Sequence, residues 1–277
     1  MSDRVTVTLV GSVADVRLNR PDKRNALDLA MFSALVEAGD RVRTDPSVRA
    51  VVLSGEGRGF CAGLDMASFA SVAGGGGRPD GSGSDGGEGF GGSIVDRLPG
   101  RITNLAQQAV YTWTEMEVPV VAALHGHVLG GGLQIALGAD IRIVAPDAIL
   151  SVLEIRWGLL PDMTGPQTLP RLVGLDVAKE LAFTGRMVSG EEAVRLGLAT
   201  RLADDPYTEA MALAAEIAGK NPEAIRGTKA LLEAAGTRPR AESFLDESRR
   251  MEAIIGSPNQ VEAAMAHLEG RTPGFRD

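Results

Sequence analysis

The sequence of this 277-residue chain predicts an α/β fold. Short apolar runs that are typical of buried strands alternate with stretches in which apolar residues recur every three or four positions, as on one face of a helix. Hydrophobic residues make up 44% of the chain and charged residues 23%, which is ordinary for a globular protein with a buried core. Repeated alternation of strands and helices is typical of a sheet covered by helices.

The first fifth of the chain predicts two strands, a helix and a third strand. Apolar residues alternate with threonines over residues 5–9, which predicts a strand. A second strand is predicted over 13–18, after a Gly-Ser turn, so the two are predicted to form a hairpin. Spacings of three and four predict a helix over about 27–43. The run over 48–54, with two adjacent valines, is predicted as a buried strand.

The middle of the chain continues the alternation. Helical periodicity predicts a helix over 94–116, and an apolar run predicts a strand over 118–124. Three consecutive glycines then open a predicted apolar helix over 130–137. Two further strands are predicted over 140–145 and 148–152.

From Asp176 onward the pattern is mostly helical. Ser189 and Glu192 have the spacing of a capping box before an apolar helix, and 198–202 predicts a short strand. Met251, Ile254 and Ile255 are apolar enough for packing or subunit contacts. The last predicted helices span 206–219, 222–236, 240–255 and 258–269.

Charge and cysteine content exclude several classes of protein. The 28 basic and 36 acidic residues give a net charge of −8, which argues against a general nucleic-acid binder. A single cysteine, Cys61, precludes an intrachain disulfide and fits a reducing, cytoplasmic location. No signal-peptide core or membrane span is expected. With three histidines and one cysteine, no structural metal site is expected.

Eleven of the 35 glycines fall in residues 74–92, a segment with little apolar surface to bury. The favoured interpretation is a flexible surface loop that is a tolerated insertion. The alternative is a mobile rim over an active site, because the segment begins shortly after the first of the motifs described next.

Two glycine-rich junctions follow predicted strands, one over residues 59–65 and one over 125–134. Backbone N–H groups at a helix start have no intrahelical partner, and glycine lets a ligand approach them, so two such junctions could hold one oxyanion. The alternative for either junction is a tight packing point. The second lacks both the P-loop pattern and the dinucleotide-binding spacing. His125 and His127 lack a third partner for a metal or catalytic site.

A third segment, residues 151–162, carries two carboxylates, Glu154 and Asp162, in an apolar stretch that is bent by a glycine and a proline. Apolar surroundings would raise their pKa toward neutrality, as proton transfer requires. The alternative is that Glu154 pairs with Arg156 or Arg171 on the surface and that Asp162 caps the next helix. Trp157 is predicted to lie in the core or a pocket wall, and Cys61 to be a small buried side chain.

Together these segments resemble the crotonase family, also called the enoyl-CoA hydratase/isomerase superfamily, over nearly the whole chain. Residues 18–27 resemble its N-terminal coenzyme A loop. Residues 60–65 and 126–132 resemble its two oxyanion segments, and 257–275 resembles its closing segment. The family implies a spiral core of β-β-α units over 1–200, with 74–92 as a flexible loop, and a helical region over 201–277 for trimerisation. Homotrimers or hexamers are implied.

The resemblance places the oxyanion hole at the backbone N–H groups of Leu64 and Gly131. It implies no metal and no cofactor beyond the coenzyme A of an acyl-CoA substrate. It assigns substrate and coenzyme A contacts to Arg24, Ala26, Ala62, Gly63, Asp65, Met66 and Gln134.

Within the family the acidic positions decide the reaction. Hydratases carry two glutamates, one where this chain has neutral Gln134 and one at Glu154, and they usually have glycine where Asp162 lies. The Glu154–Asp162 pair resembles the dienoyl-CoA isomerase branch, which usually has aspartate in place of Gln134. Isomerisation of an enoyl- or dienoyl-CoA through an enolate is predicted, with Glu154 favoured as base and Asp162 as proton donor. The reverse order, hydration, attack by Asp162 on the substrate, and a non-catalytic RNA- or protein-binding role stay open.

Overall fold

The computed structural model describes residues 4–67 and 96–277. The predicted glycine-rich loop over 74–92 lies outside these residues, and so do both interpretations of it. The described chain contains nine strands and ten α-helices, with two short 3-10 turns at Pro21–Lys23 and Glu154–Trp157. The strands are β1 (Val5–Val10), β2 (Val13–Leu18), β3 (Ala50–Gly55), β4 (Val120–Leu124), β5 (His127–Leu129), β6 (Ile141–Val144), β7 (Ile149–Ser151), β8 (Val188–Ser189) and β9 (Arg201–Leu202). The helices are α1 (Leu29–Arg43), α2 (Leu105–Thr114), α3 (Gly131–Leu137), α4 (Gly165–Val173), α5 (Leu175–Thr184), α6 (Gly190–Leu196), α7 (Pro206–Ala218), α8 (Pro222–Ala234), α9 (Arg240–Ile254) and α10 (Pro258–Glu269).

The larger sheet has six strands in the order β1-β2-β3-β4-β6-β9. Strands β1 and β2 form the predicted antiparallel hairpin, and every other neighbouring pair in this sheet is parallel. Strand β4 is buried along its whole length, as expected for a parallel strand covered on both faces. The α/β prediction is therefore confirmed.

A second, smaller sheet consists of β5, β7 and β8. Its strands β5 and β7 each follow directly after a strand of the larger sheet. Strand β4 of the larger sheet is followed by β5 of the smaller sheet and then by α3. Strand β6 is followed in the same way by β7. An isolated bridge between Cys61 and Val128 adds the segment after β3 to the same pattern. The chain thus winds as a spiral of strand, strand and helix, as the resemblance implies.

The two faces of the larger sheet are covered by different helices. Large apolar side chains of α1, α2 and α3, among them Met31, Trp113 and Leu133, form the core on one face. On the other face, α7 lays small side chains such as Ala210 and Ala214 against Val52 and its neighbours. Alanines let this helix lie close to the strands. The proposed division at residue 200 stays a prediction, although α7 packs directly on the sheet.

One predicted helix is too long. Of the predicted 94–116 helix, the described residues before Leu105 are not helical, and α2 begins only after Asn104. The Asn104 side chain accepts a hydrogen bond from the Gln107 N–H, and the Gln107 side chain reciprocates at the Asn104 N–H. Such a capping box fixes a helix start, and the preceding Pro99-Gly100 pair favours a turn. Periodicity alone missed both signals.

The last three helices are attached to the core at few points. Lys229 of α8 is buried and donates hydrogen bonds to the Val118 carbonyl oxygen at 3.1 Å and to the Asp140 carboxylate at 2.8 Å. Helix α9 has no buried residue, and Phe244 and Met251 are exposed on it. In the described parts of the chain, no helix has the length and apolar character needed to cross a membrane.

Candidate active site

A cavity of about 280 Å³ opens beyond the carboxyl ends of β3 and β4. In sheets with parallel strands this edge is where ligands bind, because the loops that leave the strands converge there. The cavity brings together eight of the residues named from the sequence: Ala62, Gly63, Leu64, Met66, Gly131, Gln134, Glu154 and Asp162. Apolar side chains complete the wall, among them Leu27, Phe32, Leu160 and Met163.

Backbone pairing sets the two glycine-rich junctions side by side. The Cys61 N–H donates to the His127 carbonyl oxygen at 2.9 Å, and the Leu129 N–H donates to the Cys61 carbonyl oxygen at 3.0 Å. Leu64 lies three residues beyond Cys61, and Gly131 three residues beyond its paired residue Val128. Leu64 and Gly131 are therefore equally far along the chain from the paired residues, and both line the cavity.

The amides of Leu64 and Gly131 are unengaged. Leu27 pairs with the residues on either side of Leu64, donating to the Gly63 carbonyl oxygen at 2.8 Å and accepting from the Asp65 N–H at 2.9 Å. Gly131 is the first residue of α3, where an N–H has no intrahelical acceptor. Within residues 4–67 and 96–277, neither the Leu64 N–H nor the Gly131 N–H donates a hydrogen bond. Both residues line the cavity.

Two glycines allow this close approach. A Cβ atom on Gly132 would lie 2.5 Å from the Cys61 carbonyl oxygen and 2.8 Å from its Sγ. Gly63 has a φ of +87°, and a Cβ there would lie 2.7 Å from the Leu129 carbonyl oxygen. Any side chain at either position would push the two segments apart. The packing interpretation of the glycines is thus also correct, since tight packing is what brings the amides together.

The loop predicted to contact coenzyme A is joined to the first junction. The Ala62 N–H donates to the Arg24 carbonyl oxygen at 2.9 Å. The Arg20 guanidinium bonds both the Ala26 carbonyl oxygen, at 3.0 Å, and the Asp65 carboxylate, at 2.8 Å. Arg24, Ala26 and Asp65 therefore lie beside the cavity without lining it.

Sequence reasoning gave no role to Asn25, which is fully buried beneath this loop. Its Nδ2 donates to the carbonyl oxygens of Glu56, Gly59 and Phe60 at 2.9 to 3.1 Å, and its Oδ1 accepts from the Arg20 N–H at 2.7 Å. Asn25 has a φ of +57°, a left-handed conformation that asparagine tolerates better than most residues. An asparagine after a Pro-Asp turn was the available signal.

Glu154 and Asp162 both line the cavity. Burial raises the pKa of Glu154; hydrogen bonds from its own N–H and from Gln134 oppose that rise, and the nearby Asp162 charge adds to it. Asp162 lies at the exposed edge, yet desolvation by the surrounding protein raises its pKa too, against a backbone hydrogen bond that lowers it. Raised pKa values of paired carboxyl groups suit proton transfer near neutral pH.

The alternative roles considered for these acids are wrong. Within the described residues, Glu154 forms an ion pair with neither Arg156 nor Arg171; its Oε1 instead accepts a hydrogen bond from Gln134 Nε2 at 2.6 Å. The residue before α4 is Thr164, so Asp162 does not cap that helix. Trp157 is more than half exposed and forms part of the cavity wall, not the core.

Gln134 is almost fully buried, and its amide group contacts three other residues. Besides its bond to Glu154, its Oε1 accepts hydrogen bonds from the Met163 N–H at 2.9 Å and the Gly165 N–H at 3.0 Å. The side chain therefore joins the turn that carries Glu154 to the segment after Asp162.

Cys61 is buried, as predicted, and does not have the properties of a nucleophile. Its Sγ lies 3.0 Å from the Asn25 carbonyl oxygen, and burial raises the pKa of its thiol to about 12. A thiol with so high a pKa stays protonated near neutral pH. Its role is to pack beneath the start of α3.

Comparison with known proteins adds to this geometry. Residues 13–274 match the family model described as enoyl-CoA hydratase/isomerase. The human enoyl-CoA hydratase domain-containing protein 2, mitochondrial, is 33% identical over 270 residues, covering 95% of this chain and 85% of that protein. The human mitochondrial Delta(3,5)-Delta(2,4)-dienoyl-CoA isomerase is 36% identical over 224 residues, covering 78% of this chain and 64% of that protein.

Solved structures resemble the described chain over nearly its full length. The crystal structure of an enoyl-CoA hydratase from Bacillus anthracis superposes with a TM-score of 0.83 at 27% identity, covering 98% of each chain. The fold is thus shared with a protein that is named an enoyl-CoA hydratase.

Proposed function

The chain belongs to the enoyl-CoA hydratase/isomerase family, and from this premise we propose that it moves a double bond along an enoyl- or dienoyl-CoA through an enolate. The observation that carries the proposal is that two unengaged amides, at Leu64 and Gly131, and two carboxyl groups, at Glu154 and Asp162, open on one cavity. The amides meet the requirement for holding a negative oxygen, and the carboxyl groups meet the requirement for moving a proton.

In the proposed reaction the thioester oxygen accepts hydrogen bonds from the Leu64 and Gly131 amides. Glu154 removes a proton from the carbon next to the thioester, and the electron pair of that C–H bond moves onto the thioester oxygen. The resulting enolate collapses as Asp162 delivers a proton to a carbon farther along the chain. Glu154 is then protonated and Asp162 ionised, and exchange with solvent restores both. The Gln134 N–H favours ionised Glu154 and so supports its role as base.

We propose that coenzyme A lies along the loop that contains Arg24 and Ala26 and the segment over 62–66. The backbone bonds between these two stretches support a common binding surface. The reaction transfers a proton and passes no electrons to an acceptor, so it requires no cofactor besides the coenzyme A of the substrate.

Hydration of an enoyl-CoA is the second candidate. It is favoured by the hydratase names of several relatives, including the Bacillus anthracis protein. Against it stands Gln134, whose neutral amide cannot exchange a proton near pH 7 and whose two polar atoms are both engaged by protein groups.

Assays with two substrates distinguish these candidates. With a 3,5-dienoyl-CoA, the enzyme is expected to give the conjugated 2,4-dienoyl-CoA, followed by absorbance and chromatography. With a trans-2-enoyl-CoA, slow or absent formation of 3-hydroxyacyl-CoA is expected. Fast 3-hydroxyacyl-CoA formation, with no dienoyl isomerisation, would establish hydration instead. The Glu154→Gln/Asp162→Asn double variant is the control for uncatalysed reaction.

We also propose that the C-terminal helices assemble the chain into a homotrimer or hexamer and that the protein is cytoplasmic. The exposed apolar side chains of Phe244, Met251 and Ile255 support the assembly. Light scattering after size exclusion is expected to give three or six times the 28.9 kDa chain mass. Phe244→Asp is expected to shift the mass toward monomer, whereas Glu252→Ala on the same helix is expected not to. A monomeric wild type would contradict the assembly.

A further inference from the structure

The amide of Gln134 has an orientation that its partners determine. One of its two polar atoms receives the N–H groups of Met163 and Gly165. Backbone N–H groups only donate, so that atom must be the carbonyl oxygen. The other atom, which faces Glu154, is therefore the NH2 group, and it can only donate. The polarity of the contact with Glu154 follows from chemistry and does not depend on which way the amide is drawn.

This polarity restricts where Glu154 can hold a proton. Its Oε1 lies 2.6 Å from the Gln134 Nε2 and must act as an acceptor. When Glu154 is protonated, the proton must therefore be on Oε2. In the described part of the chain, Oε2 is buried and has no hydrogen-bond partner. A buried polar atom without a partner is costly, which is expected of an atom whose partner is supplied by the substrate.

The same amide positions the second acid. Met163, Thr164 and Gly165 are the three residues after Asp162, and Thr164 has a φ of +68°, a strained conformation for threonine. The two bonds to Gln134 Oε1 hold this turn. A Cβ on Gly165 would lie 2.6 Å from that oxygen, so the approach requires glycine. Displacing Gln134 would therefore alter the position of both acids.

We propose that Gln134 is a positioning residue that makes Oε2 the proton-exchanging atom of Glu154 and fixes the distance between Glu154 and the Asp162 segment. This inference rests on the proposed function, since it assigns the atom through which the proposed base acts. Gln134 itself exchanges no proton, and its side chain acts on the substrate through Glu154. Two substitutions separate its two contacts.

Gln134→Glu keeps an oxygen for the Met163 and Gly165 N–H groups but replaces the donor facing Glu154 with an acceptor. Two carboxylates in contact must share a proton, which raises the apparent pKa of the pair. The acid limb of kcat/KM is expected to move up by about one pH unit or more. At pH 7 kcat is expected to fall about tenfold, with KM within about threefold of wild type.

Gln134→Met has similar length and makes neither contact, so it is expected to lower both kcat and the melting temperature. Near-wild-type melting of Gln134→Glu would show that the turn is still held. If Gln134 only held the turn, Gln134→Glu would have the kcat and the pH profile of the wild type, unlike Gln134→Met. That outcome would overturn the inference.

Titration by 13C NMR of labelled glutamate carboxyl groups tests the inference without turnover. The Glu154 resonance is assigned by its loss in Glu154→Gln. Its midpoint is expected to be higher in Gln134→Glu than in wild type, and an unchanged midpoint would contradict the proposed contact. Failure of the proposed function has a different signature, because the wild-type enzyme would then form no 2,4-dienoyl-CoA from a 3,5-dienoyl-CoA, whatever the midpoint of Glu154 in Gln134→Glu.

Discussion

Replacing Glu154 by glutamine is expected to lower kcat for isomerisation by at least about 100-fold while KM stays within about threefold. Glutamine has the same shape and can still accept the hydrogen bond from Gln134 Nε2. What it loses is the ability to take a proton. The loss therefore falls on the chemical step, and the measurement is steady-state kinetics with a dienoyl-CoA.

The pH profile gives this prediction a second test. Burial raises the pKa of Glu154, so the wild-type kcat/KM is expected to increase as pH rises through that raised pKa. Asp162 must be protonated to donate, so activity is expected to fall as pH rises through the pKa of Asp162, which desolvation also raises. Glu154→Gln removes the first limb. Retention of full activity and of the acid limb would contradict the role of Glu154.

Glu154→Gln is expected to raise the melting temperature although it lowers the activity. A carboxyl group whose pKa is higher in the folded than in the unfolded chain stabilises the fold only below its ordinary pKa, and that contribution is lost as pH rises through the folded value. Ionised Glu154 is thus a cost near neutral pH, where Glu154→Gln is expected to melt at a higher temperature than wild type. The difference should vanish in acid. A variant that melts lower at pH 8 would instead indicate a structural defect.

Asp162→Asn is the matched variant on the other carboxyl group. It is expected to lower kcat by a similar factor but to remove the alkaline limb, because asparagine cannot deliver the proton. Asp162 lies at the exposed edge, so little change in melting temperature is expected.

The sequence was sufficient to predict the order of elements wherever strands are continuous apolar runs, as in β3 and β4. It could not predict the order of strands in the larger sheet or the existence of the smaller one, because both depend on pairing between distant segments. The prediction of a helix over 94–116 was too long for a local reason. The capping box at Asn104 was present in the sequence, but the prediction relied on apolar periodicity instead.

The site was predictable in its residue types and not in its contacts. Glycine-rich junctions and paired acids could be read along the chain, and the resemblance gave their order. The hydrogen bonds that Gln134 makes to Glu154, Met163 and Gly165 connect segments far apart in sequence, so no local pattern reveals them. The same holds for Asn25, whose side chain binds carbonyl oxygens beyond β3.

Gly132→Ala is expected to have the largest effect of a change that touches neither acid. Its methyl group would lie 2.5 Å from the Cys61 carbonyl oxygen, and backbone atoms must move to relieve this overlap. The paired segments that carry Leu64 and Gly131 would then separate, which misplaces the two amides relative to one thioester oxygen. Loss of one oxyanion donor lowers kcat about 100- to 1,000-fold, so a loss in this range is expected.

A matched control separates this effect from helix propensity. Gly227 in α8 is also helical and buried, but among residues 4–67 and 96–277 a methyl group there would meet only Ile254 Cδ1, at 3.8 Å. Gly227→Ala is expected to retain wild-type kcat and to be slightly stabilised, as alanine restricts the unfolded chain. Gly132→Ala should bind a saturated acyl-CoA nearly as well as wild type, because the ground-state carbonyl depends less on the amides than the enolate does. If a folded Gly132→Ala enzyme keeps full kcat, the two amides do not hold the developing charge, and the acids must act on a substrate bound in another way.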